Sequence, residues 1–135
     1  MSSEKPAINS ALTNWTGPLG LPDFTAFTDQ DFAAAFDSAL ADDLADIDAI
    51  INHHEAPTIE NTLKALQLAG EPLDRISSIF WMLAGAHTND TIQALERVIA
   101  PKMSRHSSSI MMNPHLFARI DSLYEQRDLL GLDAE

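Results

Sequence analysis

Between Phe32 and Ile51 the apolar residues Phe32, Phe36, Leu40, Leu44, Ile47 and Ile51 recur at spacings of three or four. Only a turn of about 3.6 residues gathers them into one stripe, and no run of the chain alternates with period two. The stripe demands a long helix with one face against other helices. Thr28 is placed to cap it, with Asp29 and Asp31 in a first turn that suits acids. Asn52, ahead of Pro57, is the expected end. Asp37, Asp42, Asp43, Asp46 and Asp48 fall mostly off the stripe and read as a solvated face.

The rest of the chain repeats this grammar. Thr58 caps a short second helix carrying Ile59, Leu63 and Leu66, and Gly70 stops it. Pro72 suits the first turn of a third helix. There Leu73, Ile76, Phe80 and Leu83 form a stripe that Ile79 and Met82 widen, so this helix is expected to be the most buried. Ala84, Gly85 and Ala86 would admit a close neighbour. Asn89 caps a fourth helix with Ile92, Leu95, Val98 and Ile99. Pro101 is expected to kink or break it, since an interior proline costs about 3 kcal/mol. Asn113 and Pro114 open a fifth helix, which Gly131 stops. Asp133-Ala134-Glu135 reads as the first turn of another.

Ahead of these helices, Pro6, Gly17, Pro18, Gly20 and Pro22 exclude a regular helix. Trp15, Leu19, Leu21, Phe24 and Phe27 are too apolar for a free tail. The expectation is an extended arm over residues 1–28, its first few residues disordered and Trp15 its anchor on a helical domain of residues 29–135. The fold class is all-α: about five largely antiparallel helices with a Pro/Gly-rich N-terminal arm.

Composition narrows the partners. Twenty acidic residues against eight basic ones give a formal charge of -12, which disfavours nucleic acid and an anionic membrane surface. No cysteine is present, so disulfides and thiolate metal sites are excluded. The polar N-terminus lacks the apolar core of a secretory signal, and no apolar run is long enough to span a membrane. A cytoplasmic location is expected, and the sequons at Asn14 and Asn89 read as chance.

Candidate chemistry is sparse. His53-His54-Glu55 hints at a zinc helix, but the second ligand would have to stand four residues after His54, at Thr58, beyond Pro57. It reads as a solvated helix end. His87 reads as a helix cap that could otherwise face a channel. His106 and His115 have no acidic or histidine partner at ligand spacing and read as surface or boundary residues. Ser107-Ser108-Ser109 has neither a base nor an oxyanion turn. Phe32, Phe36, Phe80, Trp81 and Phe117 lie at helical spacing and read as core. No catalytic, cofactor-binding or metal-ligating residue is assigned.

Several colinear segments carry a resemblance. They are Trp15-Thr16-Gly17-Pro18-Leu19-Gly20-Leu21-Pro22-Asp23-Phe24; Phe32, Ala35, Phe36, Ala39 and Leu40; Pro57-Thr58-Ile59-Glu60-Asn61-Thr62; Gly70 to Ser108; and Tyr124-Glu125-Gln126-Arg127 with Leu130 to Asp133. Together they resemble the N-terminal region of the zinc oligopeptidases, the family of thimet oligopeptidase and oligopeptidase A, with the bacterial peptidyl-dipeptidase branch nearest. Trp81-Met82 departs from the pattern, where the family more often has Phe and Asn. The resemblance implies a parent metallopeptidase that hydrolyses short peptides with zinc held by an HExxH helix and a further glutamate in its C-terminal part. No HExxH occurs before Glu135, so the chain is expected to be a fragment, cut or naturally truncated, inactive alone and without a cofactor of its own. Its expected partners are the missing C-terminal catalytic domain and, for want of that domain, a second copy in a weak homodimer. The alternative is a stand-alone helical interaction protein derived from the same domain.

Overall fold

Phe32, Ala35, Phe36, Ala39, Asp43, Ile47 and Ile50 form the inner line of helix α1, Asp31–Ile51. A computed structural model describes residues 8–132; the expectations placed on the first few residues and on Asp133-Ala134-Glu135 lie outside the described residues. A π-type turn, Ile59–Lys64, leads into α2, Ala65–Leu68. Three longer helices follow: α3, Glu71–Ala86; α4, Asp90–Met111; and α5, Pro114–Glu125. The fold is all-α, and no strand occurs among the described residues. None of the described helices is long and apolar enough to cross a membrane.

The inner line of α1 is rotated from the expected stripe. Leu44 is 43% exposed, whereas Ala35, Ala39 and Asp43 are buried. Small alanines on the contact line let neighbouring helices come close, and α1 packs against α2, α3, α4 and α5. It, rather than α3, is the central helix. On α3 only Leu73, Ile76, Ile79 and Phe80 are buried. Trp81 and Met82 are partly exposed; of the Ala84-Gly85-Ala86 run only Ala84 packs against the core, and a Cβ built on Gly85 would meet nothing. Apolar residues nearly all round α3 therefore mark an uncovered side as well as a buried one.

Two clusters make the core. The larger joins Leu12, the first half of α1, α3 and the start of α4, around the edge-on rings of Phe32, Phe36 and Phe80. The smaller joins Ile47 and Ile50 of α1 to Leu116 of α5, with Ala65, Leu66 and Ile120 packed against it. Phe117, expected in the core, is 65% exposed, and Tyr124 one turn-pair later is 63% exposed. Both lie on the outer face of α5.

Helix α4 runs through Pro101 without the expected break. Ile92, Ile99 and His106 hold its inner line at seven-residue intervals. Pro101 and Arg97 are both exposed, so the Arg97 carbonyl that proline leaves without a donor faces solvent. At the other end of the chain, α5 stops at Glu125, short of Gly131, and a 3₁₀ turn, Arg127–Leu129, intervenes. The caps fall where the sequence puts them for α4 and α5: Asn89 accepts from Ile92 N–H, and Asn113 from His115 and Leu116 N–H. At α1 the bond is reversed. The Asp31 carboxylate accepts from Thr28 N–H at 2.8 Å, and this bond chiefly holds its pKa below the usual carboxylate value.

Residues 8–30 contain two 3₁₀ turns, Ser10–Leu12, which packs on α3, and Pro18–Gly20, which is exposed. Leu12 is fully buried in the larger core cluster. Trp15 is half-buried against the same cluster, and its Nε1–H donates to Leu12 O at 3.1 Å. Arg75 of α3 stands over the Trp15 ring at 5.6 Å and donates to Thr13 O at 2.7 Å. Leu19 is 98% exposed. The anchor is thus a pair, with Leu12 the deeper member. Leu12→Ala should cost about 3 kcal/mol. Trp15→Ala should cost less, yet both should speed protease cleavage ahead of Phe32. Equal protection in Leu12→Ala and the parent chain would rule out this seating.

Candidate functional site

The densest polar network centres on Pro57-Thr58-Ile59-Glu60-Asn61-Thr62. Thr58 Oγ accepts from Asn61 N–H at 3.0 Å, and Asn61 Oδ1 accepts from Thr58 N–H at 2.8 Å, a reciprocal capping box. Asn61 Nδ2 donates to Ala56 O, and Thr62 Oγ donates to Asn61 Oδ1. Arg119 of α5 closes the network. Its Nε donates to Thr62 Oγ at 3.3 Å, and one terminal nitrogen donates to Asn61 Oδ1 at 3.1 Å. It also reaches the carbonyls of His53 and Glu55 at 3.4 Å. The Asn61 side chain is bonded within the fold through both its oxygen and its nitrogen, so it builds structure here.

Several long bonds from one planar group depend on its shape more than its charge. Arg119→Lys should therefore fall most of the way to Arg119→Ala, which is expected to lose about 1–2 kcal/mol. Amide exchange at Thr58, Asn61 and Thr62 should rise in both variants; a lysine that restores parent protection would contradict the role given to the fork.

A second polar pair is buried. His106 Nε2 lies 2.5 Å from Asp43 Oδ2, between α4 and α1, and each residue is 8% exposed. Both expectations for these residues are corrected: Asp43 is on the inner face of α1, and His106 has an acidic partner. Their separation of 63 residues hid the pair from any local spacing rule. Gly70 stands against it. Its φ of +76° suits glycine, and a Cβ there would lie 2.9 Å from Asp43 Oδ1.

The remaining candidates stay apart. His53 and His54 stack their rings 5.0 Å apart at the end of α1, and His53 Nδ1 accepts from Glu55 N–H. His54 is exposed and 3.9 Å from Glu55. His87 occupies the end of α3, where its backbone N–H bonds Leu83 O. His115 is exposed in the first turn of α5. Ser109 Oγ donates to His106 O. Among the described residues, no three His, Cys, Asp or Glu side chains come together in a way that could hold a metal ion. The donors present do not fit the zinc of the family the sequence resembles.

No family model matches the chain. Two curated proteins do. A dipeptidyl carboxypeptidase of Salmonella typhimurium is 39% identical over 118 residues, which is 87% of this chain and 17% of that protein. A dipeptidyl carboxypeptidase of Escherichia coli is 34% identical over 128 residues, 95% of this chain and 19% of that protein. The chain spans less than a fifth of the length of these relatives.

Proposed function

We propose, from the homology of this chain to dipeptidyl carboxypeptidases over most of its length, that it is a non-catalytic wall domain of a zinc-dependent oligopeptidase. The carrying observation is that match of nearly the whole chain to under a fifth of each relative. In this reading the parent protein hydrolyses short peptides in the cytoplasm, with its zinc bound elsewhere in the polypeptide. The fold supports the reading in two ways. Its polar networks are turned inward to hold helices together. Its outer faces on α3 and α5 carry large apolar side chains, including Trp81, Met82, Phe117 and Tyr124. Such faces usually mark contacts.

The test is complementation in trans. A dipeptidyl carboxypeptidase from which the matching segment has been deleted is mixed with this chain. Peptide hydrolysis by the mixture, with none from either part, is the expected result. Chelator-sensitive hydrolysis by this chain alone would overturn the non-catalytic role, and absence of both binding and recovery would favour a stand-alone helical interaction protein. The same reading gives the isolated chain a weak homodimer through the outer faces of α3 and α5. Salt should tighten it by screening the charge of -12. Sedimentation of a strict monomer in high salt would count against it.

A further inference from the structure

Charge is unevenly placed along this chain. Between residues 23 and 74 there are twelve acidic residues and one lysine, while six of the eight basic residues lie beyond 74. The acidic part contains a groove of about 390 Å³ between the second half of α1 and α2. Its walls are aliphatic: Ala49 and Ile50 on one side, Ala65 and Leu68 on the other. Leu68 is 61% exposed. Asp46 and His53 stand at the rim. Asp37 is paired with Lys102 and Asp43 with His106, but the Asp46 carboxylate has no hydrogen bond or ion pair among the described residues. Since His53 Nδ1 accepts a backbone N–H, its Nε2 is the nitrogen left to donate. The α2 wall is entered through the π-type turn, a distortion that recurs at functional sites.

We propose that this groove docks a cationic peptide segment, with an aliphatic side chain between Ala49 and Leu68 and an adjacent Lys or Arg on Asp46. The volume accommodates one or two side chains rather than a folded surface. The acidic surroundings, Asp46 and Asp48 among them, attract positive charge and repel a second copy of this acidic stretch. Nε2–H of His53 offers the backbone of such a segment a donor.

The probe is a blocked peptide of alternating leucine and lysine, measured against the same peptide with serine for leucine, by calorimetry at low and high salt. The leucine peptide should bind, more weakly as salt rises. Leu68→Ser should weaken it about tenfold. Asp46→Asn should weaken it at least about threefold, while Asp121→Asn on α5 leaves it unchanged. Both groove residues are exposed, and helical circular dichroism confirms that the variants fold. Equal binding of the serine peptide, equal loss in Asp121→Asn, or no binding at low salt would each overturn the proposal. So would self-association of the chain that Leu68→Ser abolishes, because the occupant would then be a second copy.

Discussion

Phe80→Ala should lower the unfolding free energy by about 3–5 kcal/mol, among the largest losses expected from a single substitution in this chain. Phe80 is fully buried, with the rings of Phe32 and Phe36 set edge-on at 5.2 and 5.3 Å. Those two rings belong to α1, so the substitution opens a cavity at the α1–α3 contact on which the larger core depends. Stabilities of single domains run to about 5–15 kcal/mol, so about a fifth or more of the total is at stake. The neighbouring residue is the control. Trp81 is larger but 37% exposed, at the margin of the α3 packing. Trp81→Ala should cost about 1–2 kcal/mol, in line with partial burial. Chemical denaturation of the two variants decides the matter, and equal losses would mean that α3 is buried on both sides.

The second large effect belongs to Asp43 and His106. Removing either partner of a buried pair leaves the other without its bond, at a cost of about 3–5 kcal/mol. His106→Ala and Asp43→Ala should each fall in that range. The double replacement by leucine should recover much of the loss, since an apolar pair needs no partner. Gly70→Ala adds a third corner. It strains a left-handed backbone by about 1–2 kcal/mol and also presses a methyl group on the Asp43 carboxylate. In an Asp43→Ala background only the strain remains, so the two substitutions should be less than additive. Strict additivity in a double-mutant cycle would show that Gly70 and Asp43 do not sense each other.

The parts of this fold legible in the sequence are those with local causes. Asn89 and Asn113 cap helices because a short side chain reaches backbone N–H groups two or three residues on. Thr58 and Gly70 punctuate for equally local reasons. The homology was legible as well, in motifs of which one, Pro57 to Thr62, gathers Thr58, Asn61 and Thr62 into one network. What escaped was decided at a distance. Asp43 looked like one more surface acid because its partner is on another helix. Leu12 drew no expectation, because the cluster that buries it is built from α1, α3 and α4. Phe117 and Trp81 looked like core because an apolar residue at helical spacing identifies a face without saying whether anything covers it. Pro101 looked like a kink or a break, and the helix runs through it unbroken with Pro101 exposed. The groove between α1 and α2 left no signal beyond a density of acids.

The reach of Arg119 and His106 also bears on how this chain is made. Arg119 grips groups 57 to 66 residues before it, and His106 meets an aspartate 63 residues before it. A ribosome adds about 5–20 residues per second, so the Asn61 turn is outside and solvated for seconds before its clasp is even translated. The larger core has all its members by Ile99 and can close first. The smaller one waits for Leu116. The nascent chain therefore passes through a stage with a finished front and an open rear, and during that interval Ile47, Ile50 and the acidic groove are what it shows to chaperones.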